Sequence, residues 1–200
     1  MCCRFCLPIA LLCLTILGGW LWLSPAAETS AFAASAAVAP AAKGEFPDEW
    51  YFGGRSATLK GLEGKKAPAL KVKNWIGEPQ NLASLKGKVI VVDFWATWCG
   101  PCVRSIPHNI ELAKQHEKDG LVIIGVHESN RGSEKMAAMA KDKQINYPLS
   151  VDDGGKTCKA FGVSFFPTYV VIDRKGIIRA AGLIPNQTDP VIKKLLDEKP

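Results

Sequence analysis

The run Val89-Ile90-Val91-Val92-Asp93-Phe94-Trp95 leads, after Ala96-Thr97, into Trp98-Cys99-Gly100-Pro101-Cys102. The run is apolar nearly throughout, as a central strand covered on both faces should be. The residues after it repeat with helical spacing, so the chain passes from strand to helix at the two cysteines. A helix N-terminus carries unpaired backbone N–H groups and the positive end of the macrodipole. A Cys99 thiolate is stabilised there, and its pKa falls below the usual thiol range. Cys102 stands one turn behind it. Two thiols so placed exchange disulfides, with Cys99 attacking and Cys102 resolving the mixed disulfide. Pro101 falls in the first helical turn, where its missing N–H is harmless.

Other uses of the pair are weaker. Of the seven cysteines, Cys2, Cys3, Cys6 and Cys13 lie in an N-terminal apolar segment, leaving Cys99, Cys102 and Cys158 for the folded part. Three cysteines do not make a disulfide scaffold. Zinc would need two more ligands, and His108, His116 and His127 supply no suitable pair. A purely structural Cys99–Cys102 disulfide would gain little, since so short a loop constrains the unfolded chain least. Neither a metal nor a cofactor is expected. Cys158 reads as a small buried hydrophobe, a third redox partner or an intermolecular disulfide. The net charge of +6 is spread along the chain, which suits a mildly positive surface better than a nucleic-acid site.

Residues 1–27 read as a secretory signal peptide or a retained membrane anchor. Arg4 precedes an uncharged stretch from Phe5 to Ala27, about the ~20 residues a bilayer needs. Gly18-Gly19 and the small residues of Ala31-Phe32-Ala33 favour cleavage; Trp20 and Trp22 resemble an interfacial belt and favour an anchor. Cys13 follows Leu11-Leu12, which are not the small residues that lipid attachment wants. Under either reading the protein is exported, to the periplasm or the outer face of the membrane, where a CxxC meets an oxidising compartment. Residues 28–66 form an alanine-rich linker and N-terminal extension, in which Trp50-Tyr51-Phe52 is a small strand or a patch lying on the domain.

Residues 67–200 alternate strand and helix. Strands are expected over 70–76, 89–95, 121–126, 168–173 and 177–181, the last two joined by a tight hairpin at Arg174-Lys175-Gly176. The helix from Cys102 to Lys118 should turn Val103, Ile106, Ile110 and Ala113 inward and bend at Pro107. Ser133 should cap a helix to about Lys143, with Met136 and Met139 as core filler. Gly155–Phe161 reads as a short helix, and Asp189-Pro190 opens a last one. The early strands should pair in parallel and the hairpin antiparallel, giving an α/β fold with a mixed central sheet between helices.

Asp93 sits inside the apolar run. A carboxylate buried there has its pKa raised, which suits a general base for Cys102; an inert, hydrogen-bonded Asp at the strand end is the alternative. His127-Glu128 ends a parallel strand where active sites gather, but a surface pair is the simpler reading. The spacing gives no warrant for a cis bond before Pro167, because most X–Pro bonds are trans.

The segment Val91–Cys102 resembles the active site of thioredoxin-like proteins. Ala67-Pro68-Ala69-Leu70, Leu82-Ala83-Ser84-Leu85-Lys86-Gly87-Lys88 and Phe161-Gly162-Val163…Phe166-Pro167-Thr168…Ile172-Asp173…Gly176 resemble the exported TlpA/ResA branch with its redoxin-type domain. The resemblance implies a thioredoxin fold with an inserted αβ element. It implies a cis Pro167 against the CxxC, and substrate contacts from Trp98, Gly100, Pro101, Phe166 and Pro167. It implies a Cys99 nucleophile, an Asp93 proton acceptor and reduction of protein disulfides, often in cytochrome c maturation, with electrons from a membrane thiol reductase. The chain departs from the branch at Ser105, where glutamate is common, and at Asp93, where asparagine is common. Both departures favour a broader thioredoxin-like reductase. A CxxC module for a soft metal such as Cu(I) and a thiol peroxidase are the competing functions.

Overall fold

The computed structural model describes residues 44–53 and 56–198. The signal or anchor over 1–27 and most of the alanine-rich stretch therefore lie outside the described residues. Among the described residues, six strands form one mixed sheet in the order β1-β4-β3-β2-β5-β6. These are β1 (Val72–Ile76), β2 (Val89–Trp95), β3 (Leu121–His127), β4 (Leu149–Asp152), β5 (Thr168–Ile172) and β6 (Ile178–Leu183). β2, β3 and β4 run parallel; β5 is antiparallel to β2, and β6 to β5. Helices α1 (Ala57–Lys60), α2 (Gly100–His116), α3 (Met136–Asp142), α4 (Lys156–Ala160) and α5 (Thr188–Asp197) flank the sheet. No helix among the described residues is long and apolar enough to cross a membrane.

Two expectations fail. β4 is absent from the sequence reading, because Leu149–Asp152 is short, follows Pro148 and runs into Asp152-Asp153. β1 does not join the parallel group; it runs antiparallel beside β4 at the sheet edge. A strand's neighbour is set by non-local pairing, so missing β4 also misplaced β1.

β2 is buried along its whole length and splits the core in two. Val89, Val91 and Trp95 pack with Cys102, Ile106 and Leu112 of α2, Met136 of α3 and Val191, Ile192 and Leu195 of α5. Ile90, Val92 and Phe94 pack on the other face with Ile124, Val170, Ile172, Leu59 of α1 and Phe161. Each fully buried side chain of this size contributes roughly 1.5–3 kcal/mol. The stretch around Trp50 is a patch on the domain. Tyr51, buried, bridges Leu183 of β6, and Phe46 and Leu59 are core residues. Ser133 makes no side-chain cap; it opens a 3-10 turn that leads into α3.

Candidate active site

α2 begins at Gly100, with Cys99 as its N-cap and Pro101 in the first turn. Cys99 and Cys102 are joined by a disulfide, their Cα atoms 5.2 Å apart. The Cys102 N–H donates to Cys99 Sγ at 3.3 Å. The first sulfur thus takes the place that a capping oxygen fills in other helices, at the positive end of the dipole. The helix continues through Pro107.

The inward face of α2 differs from the expected one. Cys102, Ser105, Ile106, Asn109 and Leu112 are buried, while Val103, Ile110 and Ala113 lie at the margin. The apolar stripe misplaced the face because two of the residues at its centre are polar. Ser105 Oγ donates to the Pro101 carbonyl at 3.0 Å. Asn109 Nδ2 donates to Asp93 Oδ2 at 2.9 Å and to the Tyr169 hydroxyl at 3.0 Å.

Asp93 lies on the α2 side of β2, because side chains alternate across a strand and its neighbours Val91 and Trp95 pack there. It is 3% exposed. Tyr169 stands opposite it in the β2–β5 register. Burial drives the Asp93 pKa from 3.8 to about 7, against the pull of the nearby Tyr169 hydroxyl and of the Asn109 hydrogen bond. Among the described residues its second oxygen, Oδ1, has no hydrogen-bond partner. Burial, and then the Asp93 charge, push the hydroxyls of Tyr147 and Tyr169 up in turn. These are the properties a buried proton acceptor requires. Asn109, Tyr147 and Tyr169 were missed from sequence. A polar residue at Asn109, two turns from Cys102 on the same helix face, was the available signal.

On the other side of the disulfide, Trp98 is 46% exposed. Its indole Nε1 donates to Glu128 Oε1 at 3.0 Å, Arg131 lies over its ring, and Phe166 meets it edge to face at 6.1 Å. The Phe166–Pro167 peptide bond is cis. Gly100 and Pro101 are exposed beside the disulfide.

His127 and Glu128 are not a surface pair, as the simpler reading held; they are 0% and 4% exposed. His127 ends β3 and Glu128 follows it, both against the active-site turn, where their polar atoms are taken up. The Thr97 N–H donates to His127 Nε2 at 2.9 Å, and His127 Nδ1 lies 2.7 Å from the Glu128 carbonyl. That assigns the proton to Nδ1 and keeps the ring neutral, in line with the lowering of its pKa by burial. Burial alone would raise the Glu128 pKa, but donors from Asn130, Trp98 and Arg131 outweigh it and hold the carboxylate below its usual range. Gly132, at φ +83°, completes the loop; an added Cβ would run into Thr97 Oγ1.

Cys158 is a half-buried free thiol. Burial, and then Asp152, push its pKa up to about 12, which works against a redox role. Met136 is buried and Met139 packs beside it.

A family model described as Redoxin matches residues 62–196. The chain is 30% identical over 118 residues to the thioredoxin-like protein YneN of Bacillus subtilis, covering 58% of this chain and 69% of YneN. It is 32% identical over 113 residues to the thiol-disulfide oxidoreductase ResA of Bacillus thuringiensis subsp. konkukian, covering 56% of this chain and 65% of ResA. Protein DipZ of Mycobacterium tuberculosis is 34% identical over 147 residues, but the match spans 67% of this chain and only 21% of DipZ. Among solved structures, a thiol:disulfide interchange protein of the thioredoxin family from Chlorobium tepidum superposes with a TM-score of 0.58 at 27% identity, covering 66% of this chain and 95% of its own.

Proposed function

The chain belongs to the Redoxin family, in its thioredoxin-like TlpA/ResA-type branch, and from that premise we propose that it is an exported thiol–disulfide oxidoreductase that reduces protein disulfides. The observation that carries the proposal is the cysteine pair at the head of α2, backed by the buried carboxylate of Asp93.

The reaction follows from these parts. In the reduced protein the Cys99 thiolate attacks one sulfur of a substrate disulfide. The substrate's S–S bond breaks, and its second sulfur leaves as a thiolate that takes up a proton. Asp93 accepts the proton of the Cys102 thiol. The Cys102 thiolate attacks Cys99 Sγ, the mixed disulfide breaks, and the substrate's remaining sulfur departs and is protonated. Two electrons have passed to the substrate, and Cys99–Cys102 is oxidised. A membrane thiol reductase returns the pair to the dithiol. Trp98, Gly100, Pro101, Phe166 and Pro167 form the rim that receives the substrate segment.

Reduction of apocytochrome disulfides to thiols in cytochrome c maturation is the specialised form of this activity. Ser105 presents a hydroxyl bonded to its own helix where the branch often carries glutamate, which supports a broader substrate range.

The test uses the reduced full chain with insulin as substrate. The wild type should precipitate insulin catalytically, Cys99→Ser should be inactive, and Cys102→Ser should accumulate mixed disulfides. Failure to reduce insulin or any small disulfide, combined with stoichiometric Cu(I) uptake or with peroxide turnover lost in Cys99→Ser, would replace this reading with the metal module or the peroxidase.

A further inference from the structure

Along the N-terminal half of α2 lies a cavity of about 410 Å³ whose walls include Phe52, Pro101, Arg104, His108 and Pro185. Pro101 stands between the two cysteines of the CxxC, so the cavity reaches the active-site turn through that residue, although neither cysteine lines it. Phe52 comes from a segment that the family match, which starts at residue 62, does not include. Its N–H donates to the Gly182 carbonyl at 3.1 Å, and its ring packs edge to face on Phe165 at 5.7 Å. The ring is held in place yet remains 40% exposed.

The charge of this cavity is one-sided. None of the described residues lining it is acidic. His108 already pairs with Asp189 at 2.8 Å, but Arg104 has no ion-pair partner among the described residues. The Arg104 guanidinium folds back along α2, with Nη1 3.4 Å from where a side chain on Gly100 would begin. A guanidinium with no ion-pair partner among the described residues therefore stands against the residue that follows Cys99. On the Trp98 side the arrangement is the reverse: the Glu128 carboxylate is already held by donors from Trp98, Asn130 and Arg131.

We propose that this cavity is a substrate subsite that selects disulfides flanked by an acidic residue, with Arg104 receiving the carboxylate and Phe52 and Pro185 covering its aliphatic stem. The proposal rests on the oxidoreductase reading and narrows it to a substrate class. A guanidinium suits the task, because its planar fork matches a carboxylate and stays charged at every working pH.

The experiment compares two disulfide-linked peptide substrates that differ only in a Glu or a Lys beside the cysteine. Hydroxyethyl disulfide serves as the uncharged reference. The reduced full chain should show a kcat/KM for the glutamate peptide about five- to tenfold above that for the lysine peptide, as attraction on one side and repulsion on the other allow. The ratio should shrink as salt screens the pair. Arg104→Glu should invert the order and Arg104→Lys should preserve it. Phe52→Ala should raise KM for the glutamate peptide more than it lowers kcat. Equal rates on both peptides, or an order unchanged by Arg104→Glu, would overturn the subsite; if hydroxyethyl disulfide were still turned over, the oxidoreductase reading would stand. No turnover of any of the three substrates would overturn both.

Discussion

On one side of β2, Ile90, Val92 and Phe94 enter an apolar cluster with Ile124, Val170, Ile172 and Phe161. On the other, Val89, Val91 and Trp95 share their layer with a carboxylate, three tyrosines, an asparagine and both cysteines. The two faces belong to the same seven residues and are equally buried. The first face lowers the free energy of folding and has no chemistry. The second gives up part of that stabilisation to keep a titratable group out of water, where its proton affinity is raised. One strand thus carries stability on one face and reactivity on the other, and each face can be changed through residues of its own.

The largest effect should come from the apolar face. Phe94 is fully buried and packs 5.3 Å from Phe161. Phe94→Ala should cost about 3–5 kcal/mol, the usual range for emptying an aromatic site. Urea unfolding measures the loss. The rate per folded molecule should stay near that of the wild type. A large fall in that rate would mean that the two faces are coupled through the strand.

Asp93→Asn probes the other face and should show in the pH dependence of stability. The Asp93 pKa rises from 3.8 in the unfolded chain to about 7 in the folded one. Between those values the folded protein keeps a proton that the unfolded chain has lost, so raising the pH favours unfolding. The cost grows through that window and is constant above it. At about 1.4 kcal/mol per pKa unit it reaches on the order of 4 kcal/mol. Urea midpoints of the wild type should therefore fall between about pH 4 and pH 7, and Asp93→Asn should flatten that fall. Turnover near neutral pH should drop about a hundredfold, the lower end of what a general base contributes. A slope that persisted in the variant would assign the titration to another group.

The sequence disclosed these two faces unevenly. Cys99 and Cys102 were legible because their chemistry needs only local spacing and a strand-to-helix junction. Asp93 was legible as one charge in an apolar run. β2, β3, β5 and β6 could be read because their apolar runs are continuous. Asn109 and Tyr169 could not, since their meaning depends on which face of α2 turns inward and on a β2–β5 register that no local pattern encodes. His127 and Glu128 looked like surface groups, because their burial comes from a loop that folds back over Trp98. β4 failed for a local reason: four residues ending in a carboxylate give too little apolar periodicity to mark a strand.

The smallest and most specific change falls on Asn109. Its amide is the donor to Asp93 Oδ2, and a hydrogen bond to a carboxylate favours the ionised form. Asn109→Leu would make the inner face of α2 more like the apolar side of the sheet while leaving Asp93 in place. The Asp93 pKa should then rise above about 7. The loss of a bond worth about 1.5–3 kcal/mol to a charged group corresponds to about one or two pKa units. The inflection in the pH–rate profile should move up by that amount. Turnover at neutral pH should fall about fivefold to fiftyfold, less than in Asp93→Asn, because fewer molecules hold the base ionised while none lacks it. At high pH the rate should recover. A residue that only filled space would change the melting temperature and leave the inflection where it was, so the position of the inflection decides whether Asn109 sets the proton affinity of the site.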